Sequence, residues 1–161
     1  MKKLAIIGLG NMATAIAKGA MKNNLLPSEN VFVFDVNKEA FQKDPFDKME
    51  HCETEVEAVS KADVILLAVK PQIFPQIMEI VADVAVGKTI VSSAAGITSK
   101  YIKEQINGDV NVFLAMPNTP LLLSEGATVV GENKELEKET FDFCESLFSC
   151  AGIVEIVPED K

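Results

Sequence analysis

The chain has 161 residues, 48% of them hydrophobic, with 15 basic against 24 acidic side chains and a formal net charge of −9. That length makes one ordinary domain, long enough to bury roughly 70% of its unfolded surface. The acidity argues against a nucleic-acid or anionic-membrane partner, since both need basic patches.

The first element is an apolar strand, Leu4-Ala5-Ile6-Ile7, running directly into Gly8-Leu9-Gly10-Asn11-Met12-Ala13, a G-x-G-x-x-A turn. A strand ending in this turn, with a helix beginning inside it, is the device that holds a dinucleotide pyrophosphate. Gly8 permits the tight turn, Gly10 lets the phosphates approach the backbone, and Ala13 lets the helix pack closely on the strand. Amides at Asn11 and Met12 open the helix, whose positive end faces the anion. Met12, Ala13, Ile16, Ala17, Ala20 and Met21 recur at helical spacing, so residues 10 to about 23 form an amphipathic helix.

Val31-Phe32-Val33-Phe34 is the next strand, a continuous apolar run of the kind buried in parallel sheets. Asp35 ends it, 22 residues after Ala13, where a carboxylate accepts hydrogen bonds from adenosine ribose hydroxyls. Val36 follows at the same adenosine end. Residues 36–54 have no clear period, and Pro45 breaks the helix expected there. His51, the sole histidine, reads as a loop side chain, which leaves no histidine-based metal site and makes a histidine-driven hydrolase improbable.

Further along, 64–69 is a strand buried on both faces, and Ile73, Ile77, Ile80, Val81, Val84 and Ala85 form a helical stripe. Strands at 89–92 and 110–115 flank a helix at 98–106. A strand at 126–130, a helix at 134–150 and a strand at 153–157 close the chain. The alternation predicts an α/β, Rossmann-like, doubly wound and mostly parallel sheet with helices on both faces, as one dinucleotide-binding domain over 1–161. The last two strands need not be parallel.

In such a sheet, ligands sit beyond the carboxyl ends of the strands. Lys70-Pro71-Gln72 follows the central strand there, and Ser93-Ala94-Ala95-Gly96 follows the next, with small residues suited to a flat ring or ribose. Met116-Pro117-Asn118-Thr119-Pro120 is expected as a proline-bracketed loop on the same edge, with Asn118 offering both donor and acceptor. Cys52, Cys144 and Cys150 are odd in number and lack metal or redox spacing. With no signal peptide and no apolar run long enough to span a bilayer, a reducing cytoplasm is the expected compartment.

Taken in order, the glycine turn, Ala68-Val69-Lys70-Pro71-Gln72, Ser93-Ala94-Ala95-Gly96-Ile97-Thr98, Met116-Pro117-Asn118-Thr119-Pro120 and Glu125-Gly126-Ala127-Thr128 resemble pyrroline-5-carboxylate reductase. The resemblance runs across the whole chain. It implies hydride transfer from NADH or NADPH to the C=N bond of Δ1-pyrroline-5-carboxylate, giving L-proline. It also assigns Ala68, Val69, Lys70, Pro71 and Ser93 to Gly96 to the cofactor. Members of that family continue into a helical domain that dimerises and supplies most of the imino-acid pocket. The chain is therefore expected to be the nucleotide-binding portion of a longer homodimer or higher oligomer, binding cofactor weakly by itself and showing essentially no turnover. No catalytic residue and no metal ligand is nominated within it.

Two positions depart from the family pattern. Leu114 stands where an arginine is usual, and Glu55 where an asparagine is usual near the adenosine end. Asp35 favours NADH, because a carboxylate repels a 2′-phosphate, and Glu55 pushes the same way, whereas Lys38 could neutralise a phosphate. The alternatives are a β-hydroxyacid dehydrogenase or ketopantoate reductase, a non-catalytic dinucleotide-sensing module, and a glycine-turn methyltransferase.

Overall fold

The computed structural model describes residues 2–92, 97–117, 126–132, 138–149 and 152–158. Short apolar runs become the central strands because both of their faces are covered. β1 (Leu4–Ile7), β4 (Val64–Leu67) and β5 (Thr89–Ser92) are buried at every position, and β2 (Val31–Phe34) at all but its last. With β3 (Glu50–His51), β6 (Asn111–Pro117), β7 (Gly126–Glu132) and β8 (Gly152–Pro158), they form one sheet ordered β3-β2-β1-β4-β5-β6-β7-β8.

The first six strands run parallel in the doubly wound order, with the reversal falling between β1 and β4. β7 then turns antiparallel to β6, and β8 is parallel to β7. β6 serves two neighbours in succession. Asn111 to Leu114 pair with β5, and Ala115 to Pro117 pair with β7. Met116 and Pro117 are thus strand residues and not part of a loop, because the ladder to β7 takes them up. Asn118, Thr119 and Pro120 lie outside the described residues.

Alternation along each strand divides the core between two faces. Leu4, Ile6, Val31, Val33, Val64, Leu66, Val91 and Phe113 point one way, with buried residues of α1 (Asn11–Lys22) and α5 (Lys138–Ser149). Ala5, Ile7, Phe32, Ile65, Leu67, Ile90 and Val112 point the other way, with α2 (Glu55–Lys61), α3 (Phe74–Val81) and α4 (Ser99–Gln105). Thr54 and Thr98 cap α2 and α4 by accepting from the Glu57 and Tyr101 amides at 3.0 and 3.1 Å. The Lys88 ammonium closes the other end of α2, donating to the carbonyls of Val59 at 2.8 Å and Ser60 at 3.2 Å and to that of Ala62.

The helical stripe of α3 differs from the expected one. Phe74, Ile77, Met78 and Val81 are buried, while Ile73 and Ile80 are 39% and 37% exposed. Pro71–Ile73 forms a 3-10 turn, so the regular helix starts at Phe74 in a different phase. Residues 36–54 hold two further 3-10 turns, Lys38–Gln42 and Phe46–Lys48, with a cis Asp44–Pro45 peptide between them. His51 is not a loop residue. It belongs to β3, with Nε2 2.8 Å from the Phe46 carbonyl and its ring 4.9 Å from that of Phe41.

Candidate cofactor site

The carboxyl ends of β1, β2 and β4 meet around the glycine turn. Gly8 donates its amide to the Phe34 carbonyl at 2.9 Å, and Ala68 donates to the Ile7 carbonyl at 2.8 Å. The two glycines of the turn do different work. Gly8 has φ +93°, and a Cβ there would lie 2.5 Å from the Ala68 carbonyl oxygen and 2.9 Å from Val69 Cγ1. Its lack of a side chain is therefore demanded by the protein itself. Gly10 has φ −83°, which any residue adopts, and a Cβ there would meet nothing within 4 Å. The room above Gly10 is open space at the start of α1, a helix with no side-chain cap and no acidic residue in its first turn. That cradle fits a dinucleotide pyrophosphate held by backbone amides. Ala13 is fully buried in the α1 face of the core, where a larger side chain would push the helix off β1.

Asp35 stands at the end of β2, half-buried, with both carboxylate oxygens engaged. Oδ2 accepts from the Leu9 amide at 2.7 Å and Oδ1 from the Asn37 amide at 2.8 Å. Each oxygen keeps a second acceptor position for a ribose hydroxyl. Val36 beside it is 86% exposed on the same edge. Lys43 Nζ donates to the Leu9 carbonyl at 2.7 Å. Nothing in the sequence pointed to Lys43, which lies 34 residues from Leu9 in a segment without a period.

On the β4 side of the strand-order reversal, Ala68 and Val69 are half-buried and Lys70 is exposed, ahead of Pro71, which opens the Pro71–Ile73 turn. Ser92 is buried at the end of β5, and Ser93, Ala94, Ala95 and Gly96 lie outside the described residues. Glu55 begins α2 on the same edge, one strand beyond Asp35. Leu114 is paired with Ser92 across β5 and β6 and packs against the core on the α2–α4 face, an apolar setting. Among the described residues no cluster of His, Cys, Asp or Glu could hold a metal ion, and no helix is long and apolar enough to cross a membrane.

Burial pushes the Cys144 thiol up to about 12, and burial with the nearby Glu57 carboxylate pushes Cys52 up to about 11. Neither is a reactive thiolate at neutral pH. Cys150 lies outside the described residues.

A family model described as NADP oxidoreductase, coenzyme F420-dependent, matches residues 3–96. Pyrroline-5-carboxylate reductase 3 of Danio rerio is 33% identical over 160 residues, covering 98% of this chain and 55% of the relative. Pyrroline-5-carboxylate reductase of Escherichia coli is 32% identical over 161 residues, covering 98% of this chain and 60% of the relative. Among solved structures, a pyrroline-5-carboxylate reductase from Coxiella burnetii superposes with a TM-score of 0.88 at 27% identity, over 97% of this chain and 58% of that one. The Plasmodium falciparum pyrroline carboxylate reductase with NADP bound gives 0.83 at 27% identity, over 98% and 58%. The chain thus spans somewhat more than half the length of these relatives.

Proposed function

The chain belongs to the NADP oxidoreductase, coenzyme F420-dependent, family; from that premise we propose that it is an NAD(P)(H)-binding domain and the cofactor-binding part of a pyrroline-5-carboxylate reductase. The open cradle over Gly10 carries this reading. It leaves room for a pyrophosphate where the protein's own packing needs no glycine. The named relatives share about a third of their residues along nearly the whole chain.

When bound, the reduced nicotinamide supplies a hydride to the imine carbon of Δ1-pyrroline-5-carboxylate, giving L-proline. A protonated imine is already electrophilic, so the work left to the protein is positioning. In this reading Gly8, Gly10, Asn11, Met12 and Ala13 seat the pyrophosphate. Asp35 and Val36 hold the adenosine end. Ala68, Val69, Lys70, Pro71, Ser93, Ala94, Ala95 and Gly96 hold the nicotinamide half, and Asn118 orients the carboxamide or the substrate. The imino-acid pocket and the oligomer contacts belong to a helical domain outside these 161 residues. The Asp35 carboxylate, with Glu55 on the same edge, favours NADH over NADPH by repelling a 2′-phosphate.

Titrating the chain with NADH and NADPH, followed by nicotinamide fluorescence, tests this reading together with an assay for proline formation. Binding of both with NADH the tighter, and negligible turnover beside a full-length relative, is expected. Binding of neither overturns the assignment. Turnover near that of the full-length relative overturns the placement of the imino-acid pocket elsewhere.

A further inference from the structure

Both backbone polar groups of Leu9 are held by side chains from one excursion of the chain. Its amide donates to Asp35 Oδ2 and its carbonyl accepts from Lys43 Nζ, each at 2.7 Å. The Leu9 side chain is 1% exposed, so the residue is fixed from three directions. Lys43 is itself anchored through its backbone. Its amide donates to the Ala40 carbonyl at 3.3 Å, and its carbonyl accepts from the Asp47 amide at 3.0 Å.

The Leu9 carbonyl shares a planar trans peptide with the Gly10 amide, so the two point in opposite directions. Fixing the carbonyl with Lys43 fixes the plane, and with it the direction of the Gly10 N–H. A cation on the carbonyl also polarises the amide, strengthening its N–H as a donor to an anion. Gly10 is the residue whose missing side chain leaves the open cradle.

We propose that Lys43 is a positioning residue for the pyrophosphate, acting through the Leu9–Gly10 peptide without touching the cofactor. The proposal rests on the dinucleotide-binding reading above. It predicts a contribution shared equally by NADH and NADPH, because the two cofactors have the same pyrophosphate.

The test is fluorescence titration of the 161-residue chain and its Lys43→Met and Lys43→Arg variants with both cofactors, alongside thermal unfolding. Methionine keeps an apolar stem but donates nothing to the Leu9 carbonyl, whereas arginine keeps the charge and a donor. Lys43→Met is expected to weaken NADH and NADPH by the same factor, roughly 5- to 10-fold for one charge-assisted hydrogen bond near the surface. Its unfolding midpoint falls by no more than a few degrees, because the Leu9 carbonyl loses one hydrogen bond, and Lys43→Arg recovers most of the affinity. Unchanged affinity in Lys43→Met overturns the proposal while leaving the dinucleotide site standing. A loss confined to NADPH also overturns it, since Lys43 would then be meeting the 2′-phosphate directly. An equal loss with a midpoint lowered further than that and no rescue by arginine makes the residue merely structural and overturns it too. Failure of the wild-type chain to bind either cofactor brings down the underlying reading along with it.

Discussion

The α-carbon of Gly8 faces the Ala68 carbonyl so closely that a Cβ on it would sit 2.5 Å from that oxygen. The ends of β1 and β4 are thereby pressed together at the point where the strand order reverses. Gly10, two residues on, has no such neighbour.

The two glycines are therefore expected to separate stability from binding. Gly8→Ala combines a positive φ with a backbone clash and is expected to cost about 3 kcal/mol or more in chemical denaturation. Gly10→Ala is expected to change stability by less than about 1 kcal/mol and to weaken NADH at least ~10-fold by filling the cradle. Wild-type affinity in Gly10→Ala would show that the open space there holds no phosphate.

Asp35 holds the turn through the Leu9 amide and, in the proposed reading, also receives the adenosine end. Replacing it with asparagine removes the negative charge proposed to repel a 2′-phosphate and also weakens the acceptor for the Leu9 amide. The ratio of NADPH to NADH affinity is expected to rise by about an order of magnitude in Asp35→Asn, with NADH itself bound a few-fold less tightly. Stability falls by about 1 kcal/mol. Titration of both cofactors reads the ratio, and an unchanged value removes Asp35 from cofactor selection.

Cys144 gives the fold a pH-sensitive contribution at the alkaline end. Its thiol is held near 12 in the folded chain against 9.0 ordinarily. A raised pKa means that the unfolded chain loses its proton first. The resulting stability is present in full below about pH 9 and drains away as the pH climbs towards the folded value. Between about pH 8 and about pH 10, wild type is expected to lose about 1 kcal/mol more than Cys144→Ala. Denaturant titrations across that range check the slope. Parallel slopes for the two proteins would mean that the thiol ionises as readily folded as unfolded.

What the amino-acid sequence revealed follows from how local each feature is. β1, β2, β4 and β5 were legible because each is a short continuous apolar run, and α1 because its stripe starts at the glycine turn. The phase of α3 was not, since the 3-10 turn at Pro71–Ile73 changes the period before the helix begins. Residues 36–54 were opaque for a related reason. Two 3-10 turns and the two-residue strand Glu50–His51 carry no repeating pattern. Gly10, Asp35 and Lys70 could be placed on the carboxyl edge from strand order alone. The grip of Lys43 on Leu9 spans 34 residues and depends on tertiary structure.

The divided pairing of β6 shapes the carboxyl edge of the sheet, where the proposed cofactor site lies. β5 stops at Ser92, opposite Leu114, but β6 continues through Ala115, Met116 and Pro117 alongside β7. Three residues of strand amount to about 10 Å, so the rim of the sheet is not level. It has a floor, formed by the ends of β2, β1, β4 and β5, and a ledge raised by β6 and its antiparallel neighbour. The floor is bounded by that ledge at one end and by the two-residue strand β3 at the other. A long two-headed molecule laid across it meets unlike surroundings at its two heads, and the backbone alone gives the site a direction.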